Sequence, residues 1–212
     1  MNIEIYMNQI SKPIFGVKFD IFDINKKQIG YVYTTVDIFI YALDCDYVIK
    51  YNNDKVSLTQ INYKELLYKY NKEVDIYTDK IFSIDSLFNT GYIITDRLKT
   101  SLFNYINYYY MMLNDEYYSS FIINRADTGI NIFTYKNKKL ISVINKQNDQ
   151  LSNFSILANS EEDILPTILV CLYTYNNNWY SVGNHDRINQ ELSKETTDKF
   201  LIELYEKEIS NI

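Results

Sequence analysis

The stretch Ile164-Leu165-Pro166-Thr167-Ile168-Leu169-Val170-Cys171-Leu172-Tyr173-Thr174-Tyr175 decides the fold of this 212-residue chain. It follows Ser160-Glu161-Glu162-Asp163, whose hydroxyl and acids are typical of a helix start, so a helix is predicted near residues 161–175. All its faces are apolar, and such a helix must be buried all round. Its apolar part of about 12 residues, or ~18 Å, is too short for a bilayer, which needs about 20. We therefore predict a helix enclosed by protein, with a buried core of Ile168, Leu169, Val170 and Leu172.

The residues before this helix alternate between apolar and polar in short runs that turn residues separate. The clearest hairpins are predicted on either side of residues 23–27, 52–55 and 136–138, where Asn, Asp and Lys reverse the chain. The segment Tyr63–Tyr70 fits either a helix or a strand. Further strand-like runs occupy residues 74–77, 81–84, 92–95, 105–113 and 117–124.

About a dozen such strands, about 10 residues apart, indicate an all-β barrel or sandwich, and no βαβ alternation suggests a parallel sheet. Combined with the apolar helix, they predict an all-β domain whose sheet encloses that helix, and the spacing alone leaves a barrel and a sandwich open. Residues 1–183 would form this domain. Residues 184–212 would form an amphipathic helical tail, packed on the barrel or on a partner through one apolar stripe. That stripe comprises Phe200, Leu201, Leu204 and Tyr205.

The composition narrows the functional classes. With 21 Lys and Arg against 27 Asp and Glu, the net charge of −6 disfavours non-specific binding to nucleic acid or to anionic membranes. Cys45 and Cys171 form no CxxC pair, which argues against a disulfide scaffold or a cysteine zinc site. The first ten residues lack the apolar core of a signal peptide, so we expect a cytoplasmic protein without a transmembrane segment.

Three segments resemble the tubby C-terminal-like superfamily, nearest to the branch that contains the LURP-one-related proteins and is related to the phospholipid scramblases. FDIFDINKKQIG at residues 19–30 resembles the branch's early hairpin, and LISVINK at 140–146 resembles its late strand. NFSILA at 153–158, followed by acids and the apolar helix, resembles its terminal strand–acid–helix element. The likeness covers about residues 1–180.

This resemblance implies a closed antiparallel β-barrel of about 12 strands around a central hydrophobic helix, and a non-enzymatic binding module. The scramblases' proline-rich N-terminus, cysteine cluster and acidic metal-binding loop have no counterpart in this sequence. The phosphoinositide-binding Lys/Arg set of the tubby proteins does not map onto it residue by residue.

Four lysines near one predicted hairpin are the candidate ligand-binding residues: Lys136, Lys138, Lys139 and Lys146. Their ammonium groups could hold a headgroup phosphate through charge-assisted hydrogen bonds. The alternative is a solvated turn. His185-Asp186-Arg187 contains the residue types of acid–base chemistry, but a loop or a helix cap is the favoured interpretation. Asp44-Cys45-Asp46 offers oxygen ligands for Ca²⁺, but a turn is favoured there.

The remaining candidates have structural explanations. Cys171 lies in the apolar helix and is interpreted as a small core residue. The tyrosine runs at 108–110 and 117–118 could form a stacking platform, but no basic groove accompanies them, so strand packing is favoured.

We therefore expect no catalytic residues, no metal and no cofactor. The predicted function is a non-enzymatic binding module for a lipid headgroup or another amphiphile. The alternative is an adaptor or immunity-type protein that binds a protein partner through its surface and C-terminal helix.

Overall fold

The computed structural model describes residues 3–10, 17–34, 46–73, 80–99, 105–125, 129–146 and 153–178. Within these ranges the chain forms twelve strands and two α-helices. The helices are α1 (Tyr63–Tyr70) and α2 (Ile164–Asn178). The strands are β1 (Ile3–Gln9), β2 (Lys18–Asp23), β3 (Gln28–Thr34), β4 (Tyr47–Tyr51), β5 (Asp54–Ile61), β6 (Ile81–Asp85), β7 (Thr90–Lys99), β8 (Tyr105–Leu113), β9 (Glu116–Arg125), β10 (Gly129–Lys136), β11 (Lys139–Lys146) and β12 (Asn153–Ala158).

The strands form one closed antiparallel barrel in which each strand pairs with its neighbours in sequence. The barrel closes where β1 pairs with β12, with Ile5 opposite Ile156. Closure leaves no unpaired edge among the described strands, which removes the usual site of strand-to-strand aggregation. The prediction of a closed antiparallel barrel of about 12 strands is confirmed, and the sandwich alternative is excluded.

Asn-rich turns set the hairpin registers at one end of the barrel. Both central residues are left-handed in the turns Asn52-Asn53, Asn114-Asp115 and Asn137-Lys138, with φ between 48° and 66°. Two left-handed residues give the turn type whose twist matches paired antiparallel strands, and Asn and Asp tolerate that conformation better than most residues. The Asn and Asp residues of these turns thus explain why the chain reverses at these positions.

The segment that fitted either a helix or a strand is helix α1. Asn62 caps it: its side chain accepts from the Glu65 N–H at 3.0 Å, and Glu65 accepts in return from the Asn62 N–H at 2.8 Å. This reciprocal pair satisfies two N–H groups that a helix start leaves unpaired. The helix packs Leu66 on the outer face of the sheet, against Ile81, Tyr92 and Ile94.

Helix α2 begins after a 3₁₀ turn at Glu161–Asp163 and is the last element in the described part of the chain. Its residues 168–174 are all buried at 0% exposure, and Ile168, Leu169, Val170 and Leu172 are among them. Residues 168–173 belong to the same apolar cluster as residues from β1, β2, β4 and β5. The helix therefore has no free face along these two turns.

Several sequence expectations concern residues outside the described ranges. These are the strand-like run at 74–77 and the tail at 184–212 with its apolar stripe. Within the described ranges, neither helix has the length and apolarity that a membrane-spanning helix needs.

Candidate functional site

The hairpin of β10 and β11 brings three of the four candidate lysines together. Lys136 ends β10, Lys138 lies in the two-residue turn, and Lys139 begins β11. Lys146 ends β11 instead. At about 3.3 Å per residue it lies about 23 Å from Lys139, at the opposite end of the barrel. A single small headgroup therefore cannot contact all four lysines.

Lys136 has an anionic partner on the neighbouring strand. Its Nζ lies 2.6 Å from Oε2 of Glu116 on β9 and 5.6 Å from the centre of the Tyr118 ring. The hydrogen bond from Lys136 holds the pKa of the Glu116 carboxyl below its usual range, and the same bond raises the pKa of Lys136. The charge of Lys136 is thus neutralised within the protein.

Lys138 and Lys139 are the exposed lysines of the hairpin. Lys138 has φ 66°, a left-handed conformation that a lysine seldom adopts. Asn or Gly would hold this turn position with less strain. The hairpin thus carries at its tip two exposed lysines that are adjacent in sequence, and the turn conformation does not favour a lysine at the first of them.

The Glu116–Lys136 pair predicts a pH dependence of stability. A carboxyl whose pKa is lowered in the folded state stabilises the protein above its unfolded pKa, and that contribution is lost as pH falls through the lowered value. Because the Glu116 side chain is about half exposed, the pair is worth at most about 1 kcal/mol. We expect Glu116→Gln to lower the melting temperature by about 2 °C at pH 7, and this difference to shrink progressively as the pH falls below about 4.3, the usual pKa of a Glu side chain.

Glu73→Gln, which removes an exposed acid just after α1, is the matched control. Thermal unfolding across this pH range is the measurement. An effect of Glu116→Gln that did not shrink on acidification would show that the pair contributes no charge-dependent stability.

The other sequence candidates separate in space. Tyr109 packs edge-on against Tyr173 of α2 at 4.7 Å, whereas Tyr108 stacks on Phe121 at 5.9 Å and Tyr110 contacts Tyr92. Alternation along β8 places Tyr109 on the face opposite to the other two, so the three rings form no common platform. On the other face, the ring of Tyr110 also lies 5.7 Å from that of Tyr117 on β9.

Cys171 is fully buried, and burial raises the pKa of its thiol, which makes it a poor nucleophile. His185-Asp186-Arg187 and Asp44-Cys45 lie outside the described residues. No group of His, Cys, Asp and Glu side chains in the described ranges has the arrangement of a metal site.

One exposed feature was missed by the sequence analysis: Leu87 and Phe88 in the turn between β6 and β7, named here the apolar tip. Leu87 is 91% exposed and Phe88 is 75% exposed. The available signal was an apolar pair flanked by the turn formers Ser86 and Asn89. Periodicity predicts strands at residues 81–84 and 92–95 and gives no information on the exposure of the connection between them.

A network of hydrogen bonds fixes the base of the apolar tip. The Ser86 N–H donates to the Asn89 carbonyl at 2.7 Å, and the Asn89 N–H donates to the Ser86 hydroxyl at 2.8 Å. Oδ2 of Asp54, from the neighbouring β4–β5 hairpin, accepts from the Ser86 hydroxyl at 3.0 Å and from the Asn89 amide at 2.9 Å. Asn114 of the β8–β9 turn donates to Asn89 at 3.0 Å. Three adjacent hairpins are therefore joined beneath the two apolar side chains.

Comparisons of this chain with protein-family models, with curated proteins and with solved structures find no match.

Proposed function

We propose that α2 runs through the interior of the barrel, on the tubby-like plan. The support is the range of strands that its side chains contact. Tyr173 packs on Phe82 of β6 and its hydroxyl lies 3.0 Å from that of Thr95 on β7. Thr167 donates to Ser142 of β11 at 2.8 Å, and Tyr175 packs edge-on against Phe19 of β2. These strands are distributed around the whole barrel, which a helix lying on its outside could not reach.

The positions of the three family-like segments support the same proposal. Residues 19–30 lie in the β2–β3 hairpin, residues 140–146 lie in β11, and residues 153–158 form β12, which leads directly into α2. The tubby-like resemblance implies this order of elements.

We further propose that the protein is a non-enzymatic binding module that recognises the anionic headgroup of an amphiphile at its surface. Fully buried side chains from α2 and the strands occupy the inner cluster, so ligand recognition is assigned to the outside. The single observation that carries the proposal is the exposed pair Lys138 and Lys139 at the tip of a short turn. Two exposed lysines that are neighbours in sequence suit a phosphate, to which ammonium groups donate charge-assisted hydrogen bonds.

The proposal predicts weak, salt-sensitive binding to vesicles that contain phosphoinositide. Lys138→Asn combined with Lys139→Asn should reduce co-sedimentation about tenfold or more at low salt, because each lysine near an anionic surface is worth ~1 kcal/mol. Asn favours the left-handed turn, so this variant should fold at least as well as the parent. Lys136 is left unchanged because Lys136→Glu would place two carboxylates together and disturb the fold.

Lys64→Asn combined with Lys72→Asn, which removes two lysines on and just after α1, is the control with the same net charge. Equal binding by the parent and the hairpin variant, or no binding of the parent at low salt, would contradict the headgroup proposal.

A second candidate is a protein-interaction role of the adaptor or immunity type. The observation that favours it is the outer surface of α1, where Tyr68 is 94% exposed beside the partly exposed Tyr63 and Leu67. Aromatic side chains of this kind are enriched at protein interfaces.

A further inference from the structure

The apolar tip is the most exposed pair of adjacent large apolar side chains in the described part of the chain. Most Leu and Phe side chains of the described strands are buried, Phe19, Leu58 and Phe82 at 0% exposure. Two such side chains side by side in water are unfavourable unless another phase or molecule covers them.

The hydrogen bonds beneath the tip hold it in one conformation. Asp54, Ser86, Asn89 and Asn114 bond to one another across three hairpins. Because the turn is already ordered, binding through Leu87 and Phe88 loses little conformational entropy. A pre-organised apolar projection of this kind is suited to insertion.

We propose that the apolar tip inserts into the interfacial region of a lipid bilayer while Lys138 and Lys139 contact headgroups. This inference rests on the proposed headgroup function and deepens it by naming the bilayer surface as the partner. The β6–β7 and β10–β11 turns lie at the same end of the barrel, separated by the β8–β9 hairpin. With strands about 4.8 Å apart, the two turns are about 19 Å apart along the rim. One flat surface can therefore meet both.

The size and shape of the tip favour a bilayer over a protein as the partner. A stable protein interface needs about 800 Å² from each partner, and two side chains provide only a fraction of that. The tip is also convex and bordered by polar turns, whereas a protein anchor usually lies at the centre of a broad contact. Interfacial membrane binding instead needs only a modest apolar area supported by basic residues.

Because the net charge is −6, the lysine pair and the apolar tip contribute to membrane binding in different ways. Long-range attraction to an anionic membrane is absent, so the lysines act only at short range, and salt weakens them. Burial of Leu87 and Phe88 does not depend on charge, and salt leaves it unchanged. The apolar contribution should therefore persist at high salt and on uncharged lipid.

The experiment measures partition of the full chain onto vesicles of phosphatidylcholine alone and of phosphatidylcholine with phosphoinositide, at low and high salt. Leu87→Asn combined with Phe88→Asn should lower the partition coefficient at least about tenfold on both lipids and at both salt concentrations. The Lys138→Asn, Lys139→Asn variant should lose binding only on phosphoinositide vesicles at low salt. Tyr68→Asn, which removes from α1 an aromatic ring that is more exposed than Phe88, should bind like the parent.

A second readout reports insertion directly. Phe88→Trp in a Trp179→Phe background should show a blue-shifted emission on phosphatidylcholine vesicles and quenching by brominated acyl chains. Both substitutions keep an aromatic side chain in place, so the variant is expected to fold like the parent, and its circular dichroism spectrum and melting temperature check this.

The outcomes separate the two proposals. If the tip variant binds like the parent while the lysine variant loses binding, insertion is wrong and headgroup recognition stands. If the tip and Tyr68 variants lose binding equally, insertion is wrong. It is also wrong if the Phe88→Trp variant shows no emission shift and no quenching. In either case a protein is the remaining partner of the apolar tip. If the parent binds neither vesicle, both proposals are wrong.

Discussion

Asp in place of Ile168, Leu169, Val170 or Leu172 is expected to prevent stable folding in every one of the four single variants. All four side chains are 0% exposed, although they point in different directions around α2. Replacing a core Leu by Ala alone typically costs about 2–5 kcal/mol, and an unpaired buried carboxylate costs more because nothing solvates its charge. A domain usually has about 5–15 kcal/mol of stability in total. Circular dichroism and thermal unfolding of each variant are the measurements.

The matched control is Tyr68→Asp on α1, which introduces the same charge on a helix at a position that is 94% exposed. It should retain the parental melting temperature to within about 2 °C. One well-folded Asp variant in α2 would mean that this helix has a free face. The central placement would then be wrong, and the tubby-like assignment with it.

Gly91→Ala is the second change from which we expect a large loss of stability. A Cβ at Gly91 would lie 1.9 Å from the carbonyl oxygen of Met112 and 2.8 Å from its carbonyl carbon. Both atoms are backbone of β8, which pairs with β7 at this point. The two strands would have to separate locally, and the expected cost is about 3 kcal/mol or more.

Gly30→Ala provides a graded comparison, because its Cβ would lie 2.6 Å from the Lys50 carbonyl oxygen. Its melting temperature should fall less than that of Gly91→Ala. Neither glycine has a left-handed φ, so the loss reports steric exclusion alone. A Gly91→Ala protein as stable as the parent would show that β7 and β8 do not approach as closely as the structure indicates.

The strands and hairpins were predictable because local chemistry determines them. Alternating apolar residues and the Asn-rich turns at 52–53 and 137–138 identify the hairpins without reference to the rest of the chain. The segment Tyr63–Tyr70 was ambiguous on periodicity alone. The reciprocal capping by Asn62 and Glu65, also a local signal, would have settled it.

The candidate site was less predictable because its properties depend on contacts between hairpins. Lys136 is close in sequence to Lys138, but its partner Glu116 comes from a different hairpin, twenty residues away. Lys146 is near in sequence and far in space because an extended strand carries it along the barrel. The exposure of the apolar tip was not predictable for a related reason. Whether Leu87 and Phe88 are buried or exposed depends on what surrounds their turn, and the sequence does not show that.

The pairing of β1 with β12 has a consequence for synthesis on the ribosome. Ile3 pairs with Ala158, so β1 gains its second neighbour only after that residue is made, and at about 5–20 residues per second this takes about 8 to 30 s. During that interval the nascent sheet has a free edge, and the apolar helix that follows β12 has not yet emerged. Newly made chains should therefore depend on co-translational chaperones at the stage just before residue 158 leaves the exit tunnel.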